Sequence, residues 1–255
     1  MRSVRVVLED RRIHPVDPLP DLPPETAEEF YGGMAAAWSE TGLVLDVGTG
    51  SGLVAAELVR RGVPVVTSDV VDRRGPTCPN VPFLLADATA LPLRSGSVAG
   101  VHIARVLHHV MDWSGAVGEA TRVLRPAGVL CLDLGGGRAP DPIEELLDDL
   151  RRRAAEVGVL PPAAGNGLNS ADQVDEVARR ELTRAGDVVV DYAVERTPRA
   201  AAQSAVDDPD RWAPGTDLRP LAGLLDDLLA DTGLDPDRPL RQARTARYRV
   251  YRRPG

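Results

Sequence analysis

Val44-Leu45-Asp46-Val47-Gly48-Thr49-Gly50-Ser51-Gly52 is the stretch on which the reading of this 255-residue chain turns. A short apolar run enters a turn in which glycine alternates with small hydroxyl residues. Leu53 to Arg61 then takes up a helical pattern. Glycine reaches positive φ angles and lets a backbone approach a ligand closely, as a ligand cradled at a helix N-terminus requires. The dinucleotide fingerprint is G-x-G-x-x-G, whereas here the spacing is G-x-G-x-G with Asp46 two residues before the first glycine. That spacing disfavours a nicotinamide cofactor.

Working outward, short apolar runs alternate with helical patterns, the signature of βα units and a parallel sheet. Strands are expected at Leu43 to Val47, Val63 to Thr67, Pro82 to Leu85, Val98 to Ala104 and Gly128 to Leu134. Helices are expected at Leu53 to Arg61 and Ser114 to Leu124. Before them, Phe30, Met34 and Trp38 share one face of a lead-in helix over Glu25 to Trp38, interrupted or weakened at Gly32-Gly33. After them, Ile143 to Val157 is amphipathic, Pro161 to Ser170 reads as a loop, and Ala171 to Ala185 as a second helix. Alternation over Asp187 to Glu195 predicts a half-exposed strand. A helix over Leu218 to Leu229 and a strand over Tyr248 to Tyr251 follow, the last two strands pairing antiparallel at the sheet edge.

The expected fold class is thus α/β: a doubly wound, Rossmann-like, seven-stranded and mostly parallel sheet with an antiparallel edge strand and a helical lid. The chain reads as one domain over residues 1–255. Within it, 1–24 is an N-terminal arm with a possible strand at Val4 to Leu8 and a proline-rich stretch at Pro15 to Pro24. Residues 25–135 form the cofactor-binding core, 136–186 the helical insert and 187–255 the C-terminal sheet edge.

A formal charge of −8 and a pI near 5.1 argue against nucleic acid, whose backbone calls for a basic stripe. All 30 basic residues are arginine, a composition that suggests a GC-rich genome. Two cysteines, Cys78 and Cys131, make neither a disulfide framework nor a metal knuckle, and no metal is expected. No segment approaches the roughly 18 apolar residues of a spanning helix, so the expected compartment is the cytoplasm, without membrane insertion. The oligomeric state is not legible.

The glycine stretch resembles the first motif of class I S-adenosylmethionine-dependent methyltransferases, in particular the branch of quinone-biosynthesis and natural-product small-molecule enzymes. The resemblance covers about residues 30 to 135. It implies that Gly48, Thr49, Gly50 and Gly52 pass beneath the methionine part of S-adenosylmethionine, with Asp46 orienting its amino end. Asp69, about twenty residues past the turn and followed by Val70, is placed where a carboxylate accepts both ribose hydroxyls. The resemblance gives Asp87 and Ala88 the adenine ring. Ala104-Arg105-Val106-Leu107-His108-His109 is similar to the family's fourth motif, and Val123-Leu124-Arg125-Pro126-Ala127-Gly128 to its turn into strand five. Ala104 and Arg105 stand where small polar residues are common, so Arg105 either steers a carboxylate or folds onto the surface. Tyr31 either covers the cofactor or packs in the core or on the surface.

Methyl transfer from a sulfonium is an in-line displacement, and a hydroxyl acceptor benefits from a base. His108, His109 and Asp133 all approach the carboxyl edge of the sheet, where this architecture binds ligands. One histidine, oriented by Asp133, is the expected base. The set resembles one in sugar-directed family members, and helix packing is the alternative reading for the pair. Residues 70–81 are too short and proline-broken for the helix usual at that point. The expected function is methylation of a small-molecule acceptor, at oxygen ahead of nitrogen or carbon, in secondary metabolism. The competing class is a protein of the same fold that binds S-adenosylmethionine without transferring methyl.

Overall fold

The computed structural model describes residues 22–38, 42–75, 78, 80–134, 141–161, 166–208, 211–213 and 215–255. The strand expected at Val4 to Leu8 lies outside them, as does most of the proline-rich arm. Two compact units emerge: a sheet unit (16–139, 164–194 and 242–255) and a helical unit whose described parts come from 140–163 and 195–241. The segment 136–186 is divided between them.

In the sheet unit, β1 (Val44–Val47), β2 (Val65–Asp69), β3 (Phe83–Leu85), β4 (Val98–Ala104), β5 (Leu124–Asp133), β6 (Thr183–Arg196) and β7 (Leu240–Arg252) form one seven-stranded sheet. The order is β3-β2-β1-β4-β5-β7-β6. The first five strands are parallel, and β7 joins β5 antiparallel. Strand order reverses between β1 and β4, the switch point outside whose carboxyl ends open α/β sheets bind ligands.

Side chains alternate across the pleat, so each strand feeds two cores. Leu45, Val47, Val101, Ile103, Leu130 and Leu132 meet α3 (Trp113–Val123) and α5 (Ala171–Ala178) on one face. Val44, Val129 and Cys131 meet α1 (Pro24–Ala37) and α2 (Leu53–Arg60) on the other. Asp46 and His102 are register partners on β1 and β4, in phase with this second face.

The lead-in helix is continuous through Gly32-Gly33, which rules out the interruption, one of the two alternatives expected there. Phe30, Tyr31 and Met34 anchor it, and at Gly33 the absent side chain admits Val188 of β6: a β-carbon there would stand 3.0 Å from Val188 Cγ1. Pro24 belongs to the helix as well, in the first turn where proline sacrifices no hydrogen bond. The second insert helix stops at Ala178, because the chain turns and Thr183 already begins β6.

The helical unit packs α4 (Pro142–Glu156), α6 (Pro198–Asp207) and α7 (Arg219–Asp231) around Leu146, Leu150, Ala202, Trp212, Leu221 and Leu228. Asp141 caps α4 by accepting from the backbone N–H groups of Ile143 and Glu144. Helix α6 escaped the sequence reading because its inward face is mostly alanine (Ala201, Ala202, Ala205), which gives little hydrophobic contrast.

Candidate active site

Strand β1 ends at Val47 and the chain turns under itself through three left-handed glycines: Gly48 at φ 69°, Gly50 at φ 52° and Gly52 at φ 80°. The turn is fastened to β2, with the N–H groups of Gly48 and Thr49 donating to Ser68 O at 2.8 and 3.0 Å. A β-carbon on Gly48 would meet Val106, and one on Gly52 would meet Cys78; one on Gly50 would meet nothing within 4 Å. Gly50 therefore presents bare backbone to open space. Helix α2 starts from Gly52 with no side-chain cap, so the positive end of its dipole faces the same turn.

Asp69, at the end of β2, takes the Gly50 N–H on Oδ2 at 3.0 Å and the Val70 N–H on Oδ1 at 2.7 Å. Oδ2 keeps a further lone pair, and the second position on Oδ1 holds only a long contact from the Val71 N–H at 3.5 Å. Beyond β3, Asp87 is exposed and closes a small turn by accepting from the Thr89 N–H and hydroxyl, while Ala88 is buried beside it.

Asp46 is only 2% exposed. Its Oδ1 lies 2.6 Å from His102 Nδ1, and its Oδ2 accepts from the Thr49 hydroxyl. His102 Nε2 in turn lies 3.0 Å from the Tyr248 hydroxyl. Tyr248 is fully buried; burial, with Asp133, Tyr31 and Asp46 nearby, raises its phenol well above the ordinary range and keeps it protonated. Neither His102 nor Tyr248 stood out in the sequence. The available signal was a lone imidazole in the otherwise apolar run Val98 to Ala104.

At the end of β4, Ala104 pairs in register with Asp133 of β5. Arg105 follows in a left-handed conformation, φ 56°, unusual for a residue with a side chain, and its N–H donates to Asp133 O at 2.8 Å. The chain then makes a 3₁₀ turn, Leu107–His109, that carries both histidines. Their rings are stacked obliquely, centroids 3.9 Å apart. His108 shows exposed surface, yet neighbouring atoms partly desolvate its ring. That desolvation, with the positive charge of His109 and Arg105, lowers its pKa from the ordinary 6.5 to about 4. Asn166, from the segment expected to be a loop, donates its amide to both Leu107 O and Val110 O and so clasps this turn. Tyr31 is buried in α1, edge-on to Phe30 and under the Arg61 guanidinium.

The topology thus brings Asp46, the glycine turn, Asp69, Asp87, Ala104, Arg105, the histidines and Asp133 to the carboxyl edge of the parallel strands. Among the described residues, no group of histidine, cysteine, aspartate and glutamate is placed to hold a metal ion, and no helix is long and apolar enough to cross a membrane.

Residues 45–132 match the family model described as a methyltransferase domain. Over that segment the chain is similar to methyltransferases, and its sheet has the fold of the class I S-adenosylmethionine-dependent enzymes. An uncharacterized methyltransferase of Mycobacterium tuberculosis is 36% identical over 117 residues, 44% of this chain and 45% of that one. The ubiquinone/menaquinone biosynthesis C-methyltransferase of Geobacter sulfurreducens is 34% identical over 104 residues, 36% of this chain and 41% of that one. The matched stretch spans less than half the length of either relative. In fold, the chain resembles the YcgJ protein of Bacillus subtilis, with a TM-score of 0.57 at 19% identity over 89% of this chain and 99% of that one. The bare, left-handed Gly50 beside the uncapped start of α2 and the Asp69 carboxylate make a cradle that fits the family's methyl donor.

Proposed function

We propose that this protein transfers a methyl group from S-adenosylmethionine to a small molecule bearing an acidic hydroxyl. The observation that carries the reading is the glycine turn with its open side at Gly50 and the Asp69 carboxylate hydrogen-bonded beside it. S-adenosylmethionine supplies a methyl group on a sulfonium, open to in-line displacement. Asp69, with Val70, holds the ribose hydroxyls through its remaining lone pairs. Gly48, Thr49, Gly50 and Gly52 carry the methionine part, and Asp46 orients its amino end. Asp87 and Ala88 hold the adenine. Ala104 lines the methyl side, and Arg105 steers the carboxylate.

His108 or His109, oriented by Asp133, accepts the acceptor's proton. A His108 pKa of about 4 leaves its imidazole neutral at physiological pH but weakly basic. Such a base suits a phenol or an enol better than an aliphatic alcohol. The Geobacter sulfurreducens relative, named as a quinone-biosynthesis C-methyltransferase, supports carbon as the second acceptor atom, since an enolic oxygen and its neighbouring carbon share one activated anion.

The test is calorimetric titration with S-adenosylmethionine and S-adenosylhomocysteine beside the Asp69→Ala variant. Binding in the micromolar range, about 8 kcal/mol, that weakens at least tenfold in the variant is expected. Absence of binding to either ligand overturns the reading.

A further inference from the structure

One buried polar chain crosses the sheet: Tyr248 hydroxyl, His102 imidazole, Asp46 carboxylate and Thr49 hydroxyl, drawn from β7, β4, β1 and the glycine turn. His102 is 2% exposed and sits among aromatic rings: Trp38 edge-on with centroids 6.3 Å apart, and Tyr248 at 5.1 Å. Phe30 packs on the far ring at 5.1 Å. Burying a polar group costs free energy unless it is hydrogen-bonded, and each of these four groups is bonded to the next.

The direction of the chain follows from chemistry. An ionised carboxylate only accepts, so the short Asp46 contact places a proton on His102 Nδ1. Nε2 is then free to accept from Tyr248, whose phenol stays protonated. Asp46 Oδ1 is held by His102, and Oδ2 holds Thr49, the second residue of the turn. A carboxylate gripped at both oxygens cannot rotate, and its direction sets that of the turn.

We infer that His102 and Tyr248 are positioning residues for the amino-acid end of the methyl donor, acting through Asp46 and Thr49. The inference rests on the reading of the glycine turn as the donor site. Preorganising a charged acceptor against an ammonium avoids reorganisation at binding, and its loss affects only ligands that carry the ammonium.

The experiment measures the Kd of two ligands by calorimetry: S-adenosylhomocysteine, and 5′-methylthioadenosine, which has the same nucleoside without the amino-acid group. His102→Leu removes both of His102's bonds, His102→Asn keeps a donor toward Asp46, and Tyr248→Phe deletes a single hydroxyl. Expected for His102→Leu is a loss of about tenfold or more for S-adenosylhomocysteine with less than about threefold for 5′-methylthioadenosine. His102→Asn is expected to recover to within about threefold of wild type. Tyr248→Phe, the mildest change, is expected to show the same selective loss at smaller size and covers the case in which His102→Leu fails to fold. Equal loss for both ligands, or no loss in Tyr248→Phe and His102→Leu, overturns the inference while leaving the donor site standing. Wild-type protein that binds neither ligand removes the donor site and the inference together.

Discussion

Val106 packs so closely on Gly48 that a β-carbon at Gly48 would stand 2.2 Å from Val106 Cγ2. The glycine turn after β1 and the exit from β4 therefore touch where there is no room for one methyl group. Gly48→Ala meets that overlap and a left-handed φ of 69° together, and is expected to destabilise the fold by about 2–5 kcal/mol. Adding Val106→Ala restores the overlap part. Gly50→Ala, with open space around it, is expected to cost about 1–2 kcal/mol, from its φ alone. Urea unfolding of the four proteins checks the ranking, and equal costs at Gly48 and Gly50 would contradict it.

The clasp of Asn166 on the turn 107–110 has a separate signature. Asn166→Ala frees both carbonyls and lets the histidines drift, while the glycine turn is untouched. Turnover is expected to fall by about tenfold or more, since small misplacements near reacting atoms are costly. The Kd for S-adenosylhomocysteine is expected to stay within about twofold. Kinetics and calorimetry on one preparation separate the two.

His108 carries a pH prediction in two parts. The unfolded imidazole titrates near 6.5 and the folded one near 4, so the unfolded chain takes up its proton first as pH falls. Stability at this site declines from about pH 6.5 to about pH 4 and levels off below. His108→Gln flattens that segment of the stability curve. If His108 is the base, the acid limb of the rate profile falls near pH 4, and His108→Gln lowers turnover by about 10²-fold. A loss under about threefold assigns the role elsewhere.

Gly100 faces Trp38, whose indole N–H donates to Val129 O at 3.1 Å; a β-carbon on Gly100 would stand 2.3 Å from Trp38 Nε1. Gly100→Ala displaces the indole and breaks that bond. A loss of about 1–3 kcal/mol with altered tryptophan fluorescence is expected. Unchanged emission would show that the indole stays in place.

The parallel half of the fold was legible because its signals are local. The apolar run before Gly48 and the carboxylate closing β2 at Asp69 read directly as strand, turn and strand end. Helix α6 was not, since alanine at positions 201, 202 and 205 gives no contrast between faces. Among site residues, those on one continuous stretch were found, and those defined by pairing across the sheet were not. Nothing within Tyr248 to Tyr251 tells that the first tyrosine meets a histidine on β4, because that contact depends on the insertion of β7 beside β5. The partners of Asn166, in the loop read over Pro161 to Ser170, were hidden for the same reason: they lie at residues 107 and 110.

Strand order also dictates an order of assembly. β6 is made before β7, yet among the described residues its one neighbour in the sheet is β7. During synthesis β6 has no edge to join until β7 has docked on β5, and non-local pairing of this kind is slow. β7, made after the other six strands of this sheet, is therefore the keystone, and a ribosome-bound chain that already contains every glycine of the turn still lacks the hydroxyl of Tyr248 that braces it.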